Sequence, residues 1–238
     1  MTTDEQSHVL IIGASGGVGK ALIEHYLNQD WRVTAWSRNP IEVTHDALSC
    51  VQVQGYQPAQ ISDALAELDD VQGVISTLGV LHNDDFMPEK QLDAVNAEQL
   101  QASFQVNAIL PILLLQQLLP KLPRKQPAFW VQLSAKVGSI TDNYLGGWYS
   151  YRASKAALNM LLKTASVELG RSHKKLVIAA IHPGTTDTQL SKPFQERLPQ
   201  DKLYSPAKSA SRIAAVIADL TTDDSGKLLH WDGTELPY

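Results

Sequence analysis

The sequence predicts an α/β fold, a doubly wound parallel sheet of about seven strands with helices on both faces. Three observations carry this expectation. Short apolar or β-branched runs recur along all 238 residues. Longer stretches of helical period separate them, and the short runs are apolar on both faces, as a parallel sheet covered by helices requires. Strands are expected at 9–12, 32–37, 49–54, 73–76, 128–133, 176–181 and 227–230, and helices at 19–28, 61–68, 97–119, 151–169 and 206–220. Five crossovers of this kind need no second core. No linker, repeat or low-complexity segment interrupts them, so residues 1–238 are expected to form a single domain.

Bulk properties exclude several classes. The chain is 44% hydrophobic and 19% charged, as ordinary globular proteins are, and its net charge of −5 argues against a nucleic-acid partner. No run of like charge suggests a polybasic membrane anchor. The longest apolar run, 109–115, contains Pro111 and stops at Gln116-Gln117, short of a membrane span. Met1-Thr2-Thr3-Asp4-Glu5 lacks a basic stretch, and the apolar segment after it is too short for a signal peptide. The lone Cys50 cannot form an internal disulfide, and beside Val51 and Val53 it reads as a buried strand residue rather than a redox sensor. These features point to a cytoplasmic protein with no membrane or nucleic-acid partner. His45, His82, His173 and His230 have no metal-ligand spacing, so no metal is expected.

The first expected strand runs straight into Gly13-Ala14-Ser15-Gly16-Gly17-Val18-Gly19. Glycines there let the backbone turn sharply and approach a pyrophosphate, while the following helix offers its amino-terminal amides and dipole. A glycine cluster alone is weak evidence. This one follows the first strand, opens a helix and begins the first strand–helix–strand unit, which makes Gly13, Ser15, Gly17, Val18 and Gly19 candidates for binding a dinucleotide. An ATP-type loop would need glycine five before Gly19, where Ala14 stands, and Ser or Thr after Lys20, where Ala21 stands. The acidic residue that would hold a free ribose hydroxyl is missing after the second strand, where Trp36-Ser37-Arg38 stands instead. A guanidinium at Arg38 and a hydroxyl at Ser37 suit a 2′-phosphate, hence NADP(H); the alternative is that Arg38 is simply a solvated loop residue.

Tyr151-Arg152-Ala153-Ser154-Lys155 places a phenol and an ammonium four apart, on one helix face. A phenol is a poor acid–base at neutral pH, and a nearby ammonium favours its ionised form. Ser134, ending the fifth expected strand, can hydrogen-bond a substrate carbonyl against that phenol. The second Tyr-x-x-x-Lys match, at Tyr204 and Lys208, reads as coincidence, because Ser205 looks like a helix cap and Pro206 a first helical residue. Asn107 lies four before Pro111, whose missing N–H leaves the Asn107 carbonyl free for an ordered water that could join a proton relay; a plain proline kink is the alternative.

Two long intervals, 136–150 and 183–205, each follow a strand and so are expected at the carboxyl edge of the sheet, where such folds bind ligands. From them and their neighbours, Leu81, Ala135, Leu145, Trp148, Leu190 and Phe194, with Thr186, are expected to line an apolar substrate pocket.

Taken together, these residues resemble the short-chain dehydrogenase/reductase family along nearly the entire chain. The resemblance implies a Rossmann fold of the single-domain branch, a dinucleotide-binding and catalytic domain, and a tetrad matched by Asn107, Ser134, Tyr151 and Lys155. It makes Tyr151 the acid–base, Lys155 also a ligand of the nicotinamide ribose, Ser134 the group that orients the carbonyl, and Asn107 the holder of the relay water. His182-Pro183-Gly184, with Thr186 and Thr188, is similar to the segment that contacts nicotinamide and pyrophosphate. The chain departs from the family in three places. The Asn-Asn-Ala-Gly turn reads Ser76-Thr77-Leu78-Gly79, so only Gly79 survives; no acidic residue stands near Gln54-Gly55; and the stretch from Ser134 to Tyr151 is long. The 151–159 run and the closing Trp231-Asp232-Gly233 are similar to the sniffer-type carbonyl reductases and bacterial C-factor proteins.

The expected activity is reduction of an aldehyde or ketone to an alcohol with NADP(H). The alternative is an NADP(H)-binding sensor or signalling module with little turnover, which the altered 76–79 turn keeps open. The resemblance also implies a homodimer or homotetramer built on the helices ending near Leu119 and Leu169.

Overall fold

Side chains on both faces of a central strand must find apolar neighbours when helices cover both faces of a sheet, and here they do. The computed structural model describes residues 6–196 and 198–238, so the amino-terminal pentapeptide read above lies outside the described residues. In chain order, β1 (His8–Ile12), α1 (Gly17–Leu27), β2 (Arg32–Ser37), β3 (Leu48–Gln52), α2 (Pro58–Ala66) and β4 (Gly73–Ser76) come first. Next come α3 (Ala97–Phe104), a π-helical stretch (Gln105–Ile109), α4 (Leu110–Leu118), β5 (Ala128–Leu133) and α5 (Tyr149–Leu169). Then follow β6 (Leu176–His182), β7 (Thr185–Thr186), β8 (Leu203–Tyr204), α6 (Pro206–Ala218), β9 (Leu228–His230) and β10 (Glu235–Leu236).

The main sheet has eight strands in the order β10-β9-β6-β5-β4-β1-β2-β3. All pair in parallel except β10, which turns back antiparallel on β9 and is the strand the seven expected runs lacked. In β1, Val9 and Ile11 pack toward α1 and α6, whose Leu22, Ile23, Ile213 and Ile217 share their cluster. The alternate residues Leu10 and Ile12 face the other layer, with Ile61 of α2, Leu114 and Leu118 of α4 and Leu158 of α5. The sheet order reverses between β1 and β4, which opens a crevice at their carboxyl ends.

Three expectations are corrected. β3 ends the sheet with a strand on one side only, and Cys50 on it is exposed rather than buried. Pro111 does not merely kink the long helix: the preceding residues widen into π register, with the Leu110 N–H donating to the Gln105 carbonyl. Residues 97–121 form a helical run long and apolar enough, by length and composition alone, to cross a membrane. Its Leu114, Leu115 and Leu118 are buried in the core, as those of a core helix are.

Leu114 is fully buried between α4 and the sheet. Leu114→Ala should cost about 2–5 kcal/mol in urea unfolding; a loss below about 1 kcal/mol would mean that α4 is not part of the cooperative core.

Candidate active site

At the end of β1, Gly13 turns with a φ of +78° that a side chain would strain. Its N–H and that of Ala14 both donate to the Trp36 carbonyl, which bends the loop back across β2. A Cβ on Gly19 would stand 2.7 Å from the Gly13 carbonyl oxygen, so helix and loop touch backbone to backbone. α1 starts at Gly17 from a Gly16 cap with no side-chain hydrogen bond and no acidic residue in its first turn. Its leading amides and the positive end of its dipole are left for an external anion. Half-buried Ser15 and Val18 flank them, and the Thr188 methyl closes over Gly17, within 2.9 Å of where its Cβ would be. A cradle narrowed to glycine with open amides fits a dinucleotide pyrophosphate.

At the end of β2, Arg38 is exposed, and among the described residues no carboxylate pairs with it. Ser37 departs from expectation: it is buried, and its hydroxyl donates to the Asn39 carbonyl rather than standing open for a phosphate. The altered 76–79 turn is held by other means. Thr77 Oγ1 donates to the carbonyls of Ile12 and Gly13, both at 3.0 Å, which ties this turn to the glycine loop.

Gly79 then leads directly to the acid–base pair. A Cβ there would lie 3.3 Å from Lys155 Nζ and 3.6 Å from Asn107 Oδ1. The Asn107 amide clamps Val80 from both sides, accepting from its N–H at 2.7 Å and donating to its carbonyl at 2.8 Å, and it also donates to Ser154 Oγ at 3.0 Å. Its side chain thus ties the 76–80 turn to α5. Lys155 is buried, and its Nζ donates to the Leu133 carbonyl at 3.0 Å. The ammonium lies 5.8 Å from the centre of the Tyr151 ring, over the ring. The expected electrostatic lowering of the phenol is therefore corrected. Burial pushes Tyr151 above its ordinary value and pulls Lys155 down to about 7, because both charged forms have lost water. Tyr151 is thereby held as the protonated phenol, the form that donates. Ser134, also buried, donates its hydroxyl to Asn159 Oδ1 at 2.8 Å.

Leu81, Ala135 and Tyr151 form a small buried cluster, with Val137, Trp148 and Phe194 packed against it. Trp148 meets Phe194 at 5.1 Å and Tyr151 at 6.2 Å between ring centroids. Leu190 is partly exposed at the rim, where His82 reaches its carbonyl. Leu145 does not line this wall. It is 91% exposed, because the turn made by Asn143 and left-handed Gly146 and Gly147 carries it outward. The segment after β6 behaves as a second brace: Gly184 has a φ of +76° and would meet Tyr204 and Trp231 if substituted, and the Thr186 hydroxyl is paired with Ser209. Pro183 lies half-buried at its start. At the second Tyr-Lys match, Ser205 Oγ accepts from the Lys208 N–H as a cap while Tyr204 sits in β8, outside the helix.

The sequence matches the short chain dehydrogenase family over residues 7–199. The chain belongs to the short-chain dehydrogenase family. Membership makes it an oxidoreductase. The short chain dehydrogenase gsfK of Penicillium aethiopicum is 30% identical over 97% of this chain and 98% of its own length. The NADPH-bound carbonyl reductase from chicken fatty liver is 27% identical, with a TM-score of 0.84 over 98% of this chain and 99% of that one. The carbonyl reductase Sniffer of D. melanogaster, 23% identical with a TM-score of 0.83 over 98% and 100% of the two chains, shares the fold.

In this short-chain dehydrogenase, Glu89 is a site residue that sequence reasoning missed. It is 2% exposed and has no cation partner among the described residues. Its carboxylate accepts from the Ser150 N–H at 3.2 Å and from the Ser150 hydroxyl, while its backbone carbonyl accepts from the Trp148 N–H. Trp148 enters α5 in a left-handed conformation with no side-chain cap of its own, so Glu89 supplies the cap from 61 residues away in sequence. A lone glutamate in a loop gives no sequence signal for this.

Glu89→Ala should cost about 1–2 kcal/mol in denaturant unfolding. Glu89→Gln, whose amide oxygen still accepts from Ser150, should lose less; equal losses would show that capping is not its contribution. A second expectation concerns pH. Lys155 binds its proton more weakly when folded, near 7 against its ordinary 10.5, so between those values the unfolded chain holds more protons and stability rises with pH. Unfolding free energies of the cofactor-free protein from pH 7 to 10 should show this rise, and Lys155→Met should flatten it. A rise of the same slope in the variant would assign it to another group.

Proposed function

We propose that the protein reduces an aldehyde or ketone to an alcohol, with NADP(H) as cofactor and Tyr151 as proton donor. The observation that carries this reading is the placement of buried Lys155 against Gly79, one helical turn from buried Tyr151, on the same sheet edge as the open amides of α1. The similar chicken enzyme is described with NADPH bound, and the exposed Arg38 after β2, with no carboxylate partner among the described residues, supports the same choice.

Gly13, Ser15, Gly17, Val18 and Gly19 would hold the pyrophosphate, and Arg38 a 2′-phosphate. Gly79, Lys155, Pro183, Gly184, Thr186 and Thr188 would bound the nicotinamide end. When bound, the nicotinamide supplies the hydride that the carbonyl carbon takes up. Tyr151 gives its phenolic proton to the carbonyl oxygen, and Lys155 stabilises the phenolate left behind. Ser134 donates a hydrogen bond to the same oxygen and fixes its position. The Leu81, Trp148 and Phe194 wall excludes water and favours an apolar or aromatic substrate.

The test is a fluorescence titration with NADPH and NADH, followed by turnover on a panel of aldehydes and ketones, for the wild type and Tyr151→Phe. NADPH should bind at least about tenfold tighter than NADH. Tyr151→Phe should keep NADPH affinity and lose roughly 100-fold or more in kcat. Normal turnover in that variant would remove the assignment, and binding without turnover in the wild type would favour the sensor reading.

A further inference from the structure

Asn159 lies two turns along α5 from Tyr151, with its side chain 2% exposed and outside every role assigned above. Its Oδ1 accepts the Ser134 proton at 2.8 Å, while its Nδ2 is buried with no hydrogen-bond partner among the described residues. Two things are unsatisfactory about that arrangement. A buried amide donor left unpaired is costly. Ser134, having given its only proton to Asn159, also has none for a substrate carbonyl. A half-turn of the carboxamide exchanges oxygen and nitrogen without changing its shape: it gives Nδ2 an acceptor and frees the Ser134 proton, while Oδ1 takes over the unpaired position. Nδ2 then donates to Ser134 Oγ, and the Ser134 proton is free to point at the substrate oxygen.

We propose that Asn159 is the positioning residue for Ser134, donating from Nδ2 to Ser134 Oγ during turnover so that the hydroxyl proton faces the substrate carbonyl. The inference rests on the reading of Ser134 as a carbonyl donor. No proton leaves Ser134 or Asn159 in the cycle: the carbonyl oxygen receives its proton from Tyr151, and Ser134 only lends a hydrogen bond. Such a donor counts most as negative charge grows on the oxygen in the transition state, so the effect belongs in kcat rather than in cofactor affinity. Gln132 on β5, two residues before Ser134, is also buried, and its Oε1 has no partner among the described residues.

The experiment is a double-mutant cycle with Asn159→Leu and Ser134→Ala, measured as kcat and KM for carbonyl reduction and as NADPH affinity. Asn159→Leu should lower kcat on the order of tenfold or more, with NADPH affinity within about twofold of wild type. Made in the Ser134→Ala background, it should lower kcat by less than about twofold further, because the group it aims is gone. Fully multiplicative losses would overturn the proposal by showing that Asn159 acts independently of Ser134, and so would an unchanged kcat in Asn159→Leu. If the Leu variant fails to bind NADPH, the smaller Asn159→Val takes its place with the same expected and overturning results. An undiminished kcat in Ser134→Ala alone would instead remove the reading of Ser134, and this inference with it.

Discussion

Lys155 sits out of water, with no carboxylate paired to it among the described residues, resting on the Leu133 carbonyl. A lone ammonium in such a place is expensive, and a good part of the surrounding architecture can be understood as what makes it tolerable. The carbonyl that receives it belongs to the last residue of β5, so the sheet must end where it does. The turn above it is glycine, because a Cβ on Gly79 would crowd Nζ. That turn is in turn pinned by Asn107, whose helix widens into π register as it reaches this point. Local π bulges often mark such functional sites.

The two layers of helices divide the work between them. α1 and α6, on one face, bring an open helix end to the glycine loop. α4 and α5, on the other, bring the phenol, the ammonium and their polar supports. The carboxyl edge of β1, β4 and β5 is where both sets of groups arrive, since the strand order reverses there. Thr77 spans the gap by bonding the glycine loop from the β4 side. Where the chain departs from the usual family turn, a side-chain hydroxyl ties the two halves of the cradle.

Much of this was legible in the sequence because it is local or periodic. Double-faced apolar runs such as 9–12, alternating with stretches of helical period, fit central parallel strands, and glycines between a strand and a helix announce a cradle. Tyr151 and Lys155 declared themselves by sharing a helix face. What stayed hidden depends on distance along the chain or on the balance of burial against charge. Glu89 meets Ser150 across 61 residues, and no pattern around a lone glutamate records that. Cys50 sits in an apolar-looking run, but only sheet order shows that its strand is the last. The phenol and ammonium were expected to tune each other, whereas desolvation dominates both, and desolvation cannot be read from spacing. Leu145 looked like a pocket residue by composition; the left-handed glycines after it set its direction instead.

Gly146, Gly147 and Trp148 take φ values of +63°, +65° and +52°, three left-handed residues in a row at the entrance to α5. Glu89 fastens the chain just after that reversal, at Trp148 and Ser150. The exposed Ile140, Tyr144 and Leu145 therefore lie outside that anchor, on a turn also tethered by Thr141 on the Tyr238 carbonyl and Asp142 on Lys136. Side chains on that outer turn are thereby separated from the wall of Leu81, Trp148 and Phe194 and from the chemistry beneath it.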